Sequence, residues 1–547
     1  MSTTYGTTMK AFFLLLFLVY SLPGFSQDIK QAKEFLYHQR YVSAESFLHK
    51  LVNHDPGNAE AWYLLSEACL EQDKTKGITD SLNLAPQQVK DEPYYMVALG
   101  NVLLHASLPG KAKSYFEAAL EKTKEKDGGI LAAIAKANID NDAGDVSQAI
   151  DLLNKAIKRD KHNAELYTLL GNAYRRLKDG SHAYQAYQEA LKEDPQFAEA
   201  SYKMGTIFIS QKNPEMYLKY FNEAVAADPN YAPALYQLYF HYYFKNVNTA
   251  MDYLKKYMAV SDRSLQTDYD YTDLLYLTGQ YDEAIKNATR LVNNEISAPP
   301  RLYKLIAYSY KENGKTQDAF EYMKRYFAVA PDSIEIVKDF ATMADLYASR
   351  KETDSAVVFY KKAASMEKDS AELVNYYKKL ANIFKEEKSY ADEAFWFEKY
   401  YALNHDATNV DLFNWGIAHY LSGEYLRSDS VFAVYTEKYP AQDFGYYWRA
   451  RSNAAIDTAM EEGLAVPHYI KVVEIDQQDT TNATNRKHLI EAYGYLAAYE
   501  ANHEKNYEVA IDYFEKLLVL DPENDSVRKY IDILKKDLTK KEATTGS

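Results

Sequence analysis

The sequence predicts an all-α chain built of stacked helix-turn-helix repeats, and three observations carry that reading. Pro195 and Pro229 lie 34 residues apart, each after an Asp that closes a helical pattern. Large apolar residues recur at spacings of three and four, which places them on one stripe of a helix. Small residues return at matching places within each period, where two helices must approach closely.

The elements follow in chain order. Met9-Lys10 precedes an apolar run from Ala11 to Tyr20, and Ser21 to Gln27 follow with small and polar residues. A positive start, an apolar stretch of this length and small residues are the parts of a secretory leader. Residues 1–26 are therefore expected to be a signal peptide cut after Ser26, since the run is short for a membrane span of about 20 residues. An early unit shows Ala32, Phe35, Ala44, Leu48, Leu51 and Pro56. A later one has Leu99, Gly100, Leu103, Ala112, Phe116 and Ala119. The clearest runs from Ala164 to Phe197, with Tyr167, Leu170, Gly171, Tyr174, Ala183, Tyr187, Ala190 and Pro195. Further units carry Gly279, Tyr281 and Ala284, then Tyr303, Gly314 and Ala319, then Gly416, Gly423 and Phe432, and last Tyr507, Ala510 and Phe514.

These residues resemble the tetratricopeptide-repeat (TPR) pattern, W-x2-L-G-x2-Y…A-x3-F…P, with Tyr standing for Trp and for Phe. The resemblance extends over nearly the whole chain after residue 26. It implies a right-handed superhelical solenoid whose first helices line a concave groove. The array is expected to span 27–524 in roughly 13 to 15 units, with a polar capping helix and a frayed tail over 525–547. Residues 71–93 read as a poor second helix or long loop, and 474–487 as an extended loop between units. Gly171 and Ala183 are expected to face each other at the helix crossing, and Asn163 and Asn230 to cap the helices that follow them.

Composition bounds the function. The chain carries 63 basic and 78 acidic residues, a balance that argues against nucleic acid or an anionic membrane as partner. It has 51 tyrosines and 23 phenylalanines, and Tyr suits a fold in which every element lies near solvent. The one cysteine, Cys69, rules out an internal disulfide framework and falls on a core position. There is no H-E-x-x-H, no G-x-S-x-G, no phosphate loop and no cysteine pair, so no enzyme, metal or cofactor is expected.

The resemblance implies that positions 2, 5, 9, 12 and 13 of each unit face the groove. Three consecutive units then supply Tyr202, Tyr236, Phe240, Tyr243, Phe244, Tyr269 and Tyr276 as a partner-binding set, since rigid aromatics make good anchors; part of the set falls to the core if the register slips by one. Asn172, Arg175, Arg176 and Lys203 partly resemble the carboxylate clamp of some TPR proteins, without the full set across three units. The expected function is a non-enzymatic, exported scaffold, periplasmic or surface-associated, that binds a protein or peptide segment. The alternative is an envelope glycan-binding module; Tyr269, Asp273 and Tyr276 keep it open. Asp-Ser/Thr-aliphatic triplets such as Asp369-Ser370-Ala371 read either as O-glycosylation sequons or as helix caps.

Overall fold

The repeating element is a helical hairpin whose two helices are held apart by one aromatic ring. In the 164–197 unit, Asn163 accepts a hydrogen bond from Glu165 N and starts the first helix, Ala164–Arg176. Lys178 then adopts a left-handed conformation (φ 61°), so that Asp179 N bonds back to Tyr174 O at 2.9 Å. Asp179 caps the second helix, Gly180–Glu193, through His182 N. Gly171 sits where the helices cross. A Cβ there would lie 2.3 Å from the ring of Tyr187, which is fully buried. The partner of Gly171 is thus Tyr187, not Ala183 as its sequence position suggests. The same contact recurs at Gly100 with Phe116 (2.2 Å), Gly205 with Phe221 (2.5 Å) and Gly416 with Phe432 (2.5 Å).

A computed structural model describes residues 24–294 and 298–545. Residues 1–23 of the expected leader lie outside the described residues, and Gly24 to Ser26 belong to the first helix. Among the described residues there are thirty α-helices and no strand, and they form two compact units, divided between Asn294 and Glu295.

In the first unit the hairpins are α1 (Gly24–Tyr37) with α2 (Tyr41–His54), α3 (Ala59–Leu70) with α4 (Thr75–Leu84), and, after the single turn α5 (Gln87–Lys90), α6 (Pro93–His105) with α7 (Pro109–Thr123). Next come α8 (Gly128–Asp140) with α9 (Val146–Arg159), α10 (Ala164–Arg176) with α11 (Gly180–Glu193), and α12 (Ala198–Ser210) with α13 (Pro214–Ala227). The unit ends with α14 (Ala232–Tyr243) with α15 (Val247–Val260), and α16 (Leu265–Leu277) with α17 (Tyr281–Asn294).

The second unit has α18 (Pro300–Glu312) with α19 (Thr316–Val329), α20 (Val337–Ser349) with α21 (Thr353–Met366), and α22 (Ser370–Glu386) with α23 (Tyr390–Leu403). It continues with α24 (Asn409–Leu421) and α25 (Tyr425–Lys438), α26 (Asp443–Ile456) and α27 (Val466–Asp476), and α28 (Ala483–Tyr499) and α29 (Tyr507–Leu520). The last helix, α30 (Asp525–Thr545), buries Val527, Ile531 and Leu534 beside Phe514 and Leu517 and turns Arg528, Lys529, Asp532 and Lys535 outward.

Several local expectations are corrected. Residues 71–93 hold a real second helix, α4, which buries Ile78 and Leu82 despite its polar sequence. The 474–487 loop shrinks to 477–482, because α27 runs through Asp476 and Asn482 caps α28 at Thr484 N and Asn485 N. The residue capping α14 is Tyr231, without a side-chain bond, while Asn230 instead donates its amide to Asp228. Of the Asp-Ser/Thr triplets, Asp369 does cap a helix, at Ala371 N. Cys69 is buried and unpaired, and burial pushes its thiol up to about 12.

Two predictions follow from this packing. Gly205→Ala forces a methyl into the buried Phe221 ring, and the strain should lower stability by about 1–3 kcal/mol. Gly110, in α7, has open space around it. Gly110→Ala should therefore be neutral or stabilising by up to about 1 kcal/mol; urea denaturation of both variants beside the parent measures the contrast. In α23, Glu393 is 3% exposed, and burial pushes its carboxyl up to about 7, with Lys385 opposing weakly. The folded protein therefore holds this proton more tightly than the unfolded chain. Stability should fall as pH rises from about 4.5 to about 7, by at most about 3 kcal/mol, and then level off. Glu393→Gln should flatten that part of a stability-versus-pH curve.

Candidate functional site: the cavity of the first unit

The first unit closes on itself. Its first hairpin reaches the sixth and seventh through the turn between α1 and α2. The N-cap of α2, Arg40, offers no side-chain acceptor, which leaves the first amides of the helix unpaired. Asp262 supplies the missing acceptor from the loop after α15. Its carboxylate takes Val42 N at 2.7 Å, Ser43 N at 3.2 Å and Ser43 Oγ at 2.5 Å, and Arg40 lies 3.6 Å away. Beside this contact, His38 Nε2 meets Asp228 Oδ2 at 2.7 Å. The ring of Tyr37 packs against Phe197 and Tyr231, with centroids 5.5 and 5.2 Å away, and its hydroxyl accepts from Glu199 N.

Beside the closure lies a part-open cavity of about 590 Å³, lined mainly by α1 and by the first helices of the hairpins from α3 to α12. The lining repeats by position. The second, fifth and ninth residues of α3 are Glu60, Tyr63 and Glu67, and those of α8 are Gly129, Ala132 and Lys136. Glu165 and Asn172 hold the second and ninth positions of α10, and Glu199 the second of α12. Eight carboxylates and four lysines line the space, so its field is negative.

One cluster organises the wall. Lys136 Nζ pairs with Asp140 at 2.7 Å and Glu67 at 3.2 Å, and Tyr63 donates its hydroxyl to Glu67 at 2.6 Å. Burial pulls the Lys136 ammonium down, but Asp140 and Glu67 outweigh it and hold it well above the usual lysine range. Burial likewise raises the Glu67 carboxyl, against the pull of Lys136. Glu165 projects into the cavity with its side chain still exposed to water; the protein packed around that space, and then the charge of Glu199, push its carboxyl up. Tyr63 and Tyr94 lie 5.5 Å apart along the wall. A Cβ at position 129 would fall 2.3 Å from the Tyr94 hydroxyl, so Gly129 leaves the room in which that hydroxyl sits.

The aromatic set read from the sequence divides into separate places. Tyr202 and Tyr236 line a smaller cavity of about 200 Å³ at the closure, with His38, Tyr257 and Asp262. Phe240 and Phe244 are 56% and 80% exposed and meet edge to face at 6.3 Å. Tyr243 is half-buried between Tyr239 and Phe244. Tyr269 and Tyr276 are half-buried on α16, the latter against Tyr281. Of the cationic set, Asn172 and Lys203 line the large cavity, where Asn172 accepts the Tyr187 hydroxyl at 2.8 Å and Lys203 lies 3.6 Å from Glu199. Arg175 donates to Thr206, and Arg176 to Asp142. Sequence reasoning missed Glu60, Tyr63, Glu67, Lys136, Glu165 and Glu199. The signal was present: the positional rule finds Glu199 at the second position of α12 itself and the others when applied to the first helices of the hairpins before.

Stacked helical hairpins around an open cavity define a repeat scaffold, a class that typically mediates protein–protein interaction. Residues 134–196 and 182–232 match the tetratricopeptide repeat family, so this stretch of the chain is built of tetratricopeptide repeats. It is similar to the C-terminal part of a TPR repeat-containing protein from Cytophaga hutchinsonii, at 26% identity over 48% of this chain and 98% of that one, with a TM-score of 0.32. It is also similar to a tetratricopeptide repeat protein from Parabacteroides merdae, at 21% identity over 46% and 96% of the two chains, with a TM-score of 0.27. Comparison with curated proteins finds no match.

Asp262→Ala should uncap α2 and loosen the closure while leaving the hairpins folded, at a cost of about 1–2 kcal/mol. Hydrogen exchange should show faster exchange at Val42 and Ser43 with unchanged helix content by circular dichroism. Unchanged exchange at both amides would show that the closure is not made in solution.

Proposed function

We propose that this protein is a non-enzymatic, exported scaffold that holds an extended, Lys- or Arg-bearing protein segment in the cavity of its first unit. The observation that supports this most is the lining: eight carboxylates against four lysines, with tyrosines between them, presented by successive first helices. In a confined space of low effective dielectric, carboxylates such as Glu165 and Glu199 favour a cationic side chain. The tyrosines offer rigid faces for its aliphatic stem. The same field disfavours nucleic acid. The apolar stretch from Ala11 to Tyr20 supports export, to the periplasm or the cell surface. Among the described residues no helix is long and apolar enough to cross a membrane.

A second reading, an envelope glycan, is favoured by one feature, the Tyr63–Tyr94 pair beside Glu67. A positional-scanning peptide library against the chain from Gln27 onward separates the two. Selected peptides should be enriched in Lys and Arg, should bind more weakly as salt rises, and should lose at least about tenfold in affinity to a Glu165→Lys/Glu199→Lys variant. Peptides selected without charge preference, or bound equally by the variant, would remove the cationic-segment reading. Binding on a glycan array with no peptide selected would move the assignment to sugar.

A further inference from the structure

Three helices of the second unit bring two carboxylates and one imidazole together in its interior. Asp443 opens α26, Asp476 closes α27 and His488 lies in the second turn of α28. They are 9%, 1% and 5% exposed. Each directs one ligand atom into a shared space in which all three atoms lie within 4.8 Å of one another. His488 Nδ1 is 2.6 Å from Asp443 and 3.6 Å from Asp476. The imidazole is held in place by the ring of Tyr447, stacked at 3.8 Å, and by the edge of Phe444 at 5.6 Å.

Asp476 is the group the protein leaves unserved. Neither of its oxygens has a hydrogen-bond partner. The single Nδ1 proton is taken by Asp443, and 3.6 Å is too long for a second hydrogen bond. Asp476 also sits in the last turn of α27, where the carbonyl ends of the helix oppose an anion. A carboxylate buried without donors is costly unless a cation meets it.

We propose that Asp443, Asp476 and His488 form a binding site for one first-row divalent cation of the Zn²⁺ type. Its protein ligands are one imidazole nitrogen and two carboxylate oxygens. A dication balances the two carboxylates, and the ring binds through Nδ1 as the neutral Nε2–H tautomer: a singly protonated ring moves its proton from Nδ1 to Nε2, and a doubly protonated one releases the Nδ1 proton to solvent. Metal–ligand bonds of about 2.0–2.2 Å place tetrahedral neighbours roughly 3.3–3.6 Å apart. The Asp443–His488 contact would therefore open by under about 1 Å, and the Asp476–His488 separation already fits. An imidazole in the set favours Zn²⁺ over Mg²⁺ or Ca²⁺, which take oxygen ligands. The bound ion would tie α26, α27 and α28 together, a link distinct from the cavity of the first unit.

The test uses the full chain from Gln27, stripped with chelator, and Zn²⁺ as the probe. Calorimetry should show one saturable equivalent, and bound Zn²⁺ should raise the melting temperature. Asp476→Asn and His488→Gln should each weaken binding by at least about 100-fold, since even outer groups of such sites are worth 10- to 100-fold. Cys69→Ser, which alters the other cluster of possible ligands (Glu45, His49 and Cys69), should bind as the parent does. Anomalous diffraction from a zinc-soaked crystal should place the ion within about 2.5 Å of both Asp476 and His488, a result that needs no variant to fold. No saturable binding to the parent overturns the assignment. So does binding that survives in both folded variants, binding lost only in Cys69→Ser, or an ion placed elsewhere.

Discussion

The contact on which the rest of the molecule depends is an aromatic ring lying where a side chain would otherwise stand. At Gly100, Gly171, Gly205 and Gly416 the second helix presses Phe or Tyr against the bare backbone of the first. That contact sets the distance between the helices of a hairpin, and hence the angle each hairpin offers to the next. Because each hairpin buries its apolar stripe only against its neighbours, a small error in that distance would accumulate along the stack. Alanine stands at the same place in other hairpins, as at Ala344 and Ala381, both fully buried. There the tolerance is one methyl wider and the partner rings, Tyr360 and Phe397, remain in the core.

Regular hairpins would leave a groove open at both ends. In the first unit the closure of α1 and α2 onto the sixth and seventh hairpins walls off one side of the groove and leaves a part-open cavity. Charges that would be ordinary on an open surface acquire a different character there. Lys136 pairs directly with Glu67 and Asp140 against the wall, while Glu165 faces the charge of Glu199 with Lys33 opposing it, and Glu199 has Lys203 at 3.6 Å. The cavity thus has one wall of close ion pairs and another where carboxylates outnumber the lysines beside them.

Much of this was legible in the sequence. Period, small-residue positions and helix ends were readable because they are local: Asn163 caps two residues away, and Gly171 meets a ring sixteen positions on. The second helix at 75–84 was hidden because Thr75, Lys76 and Gly77 weaken its apolar pattern, and only packing of Ile78 and Leu82 recovers it. Left-handed Lys178 and Lys212 occupy the turn position that Gly279 and Gly314 fill elsewhere, so glycine alone was an incomplete marker of hairpin turns. What the sequence could not display was closure. Asp262 is one aspartate among many until the fold brings it to Val42. The residues that face the cavity follow the positional rule, but the rule does not say which stretch of groove becomes enclosed.

The capping of α2 by Asp262 also has a temporal side. Ser43 and Asp262 are separated by 219 residues of chain. At a synthesis rate of about 5–20 residues per second, the acid emerges roughly 10–45 s after the helix it completes. For that interval α2 has no side chain on its first amides, and the stack grows as an open arc. The cavity therefore takes its closed side only once seven hairpins are present, with α16 and α17 still to follow, and any occupant present earlier would meet an open groove.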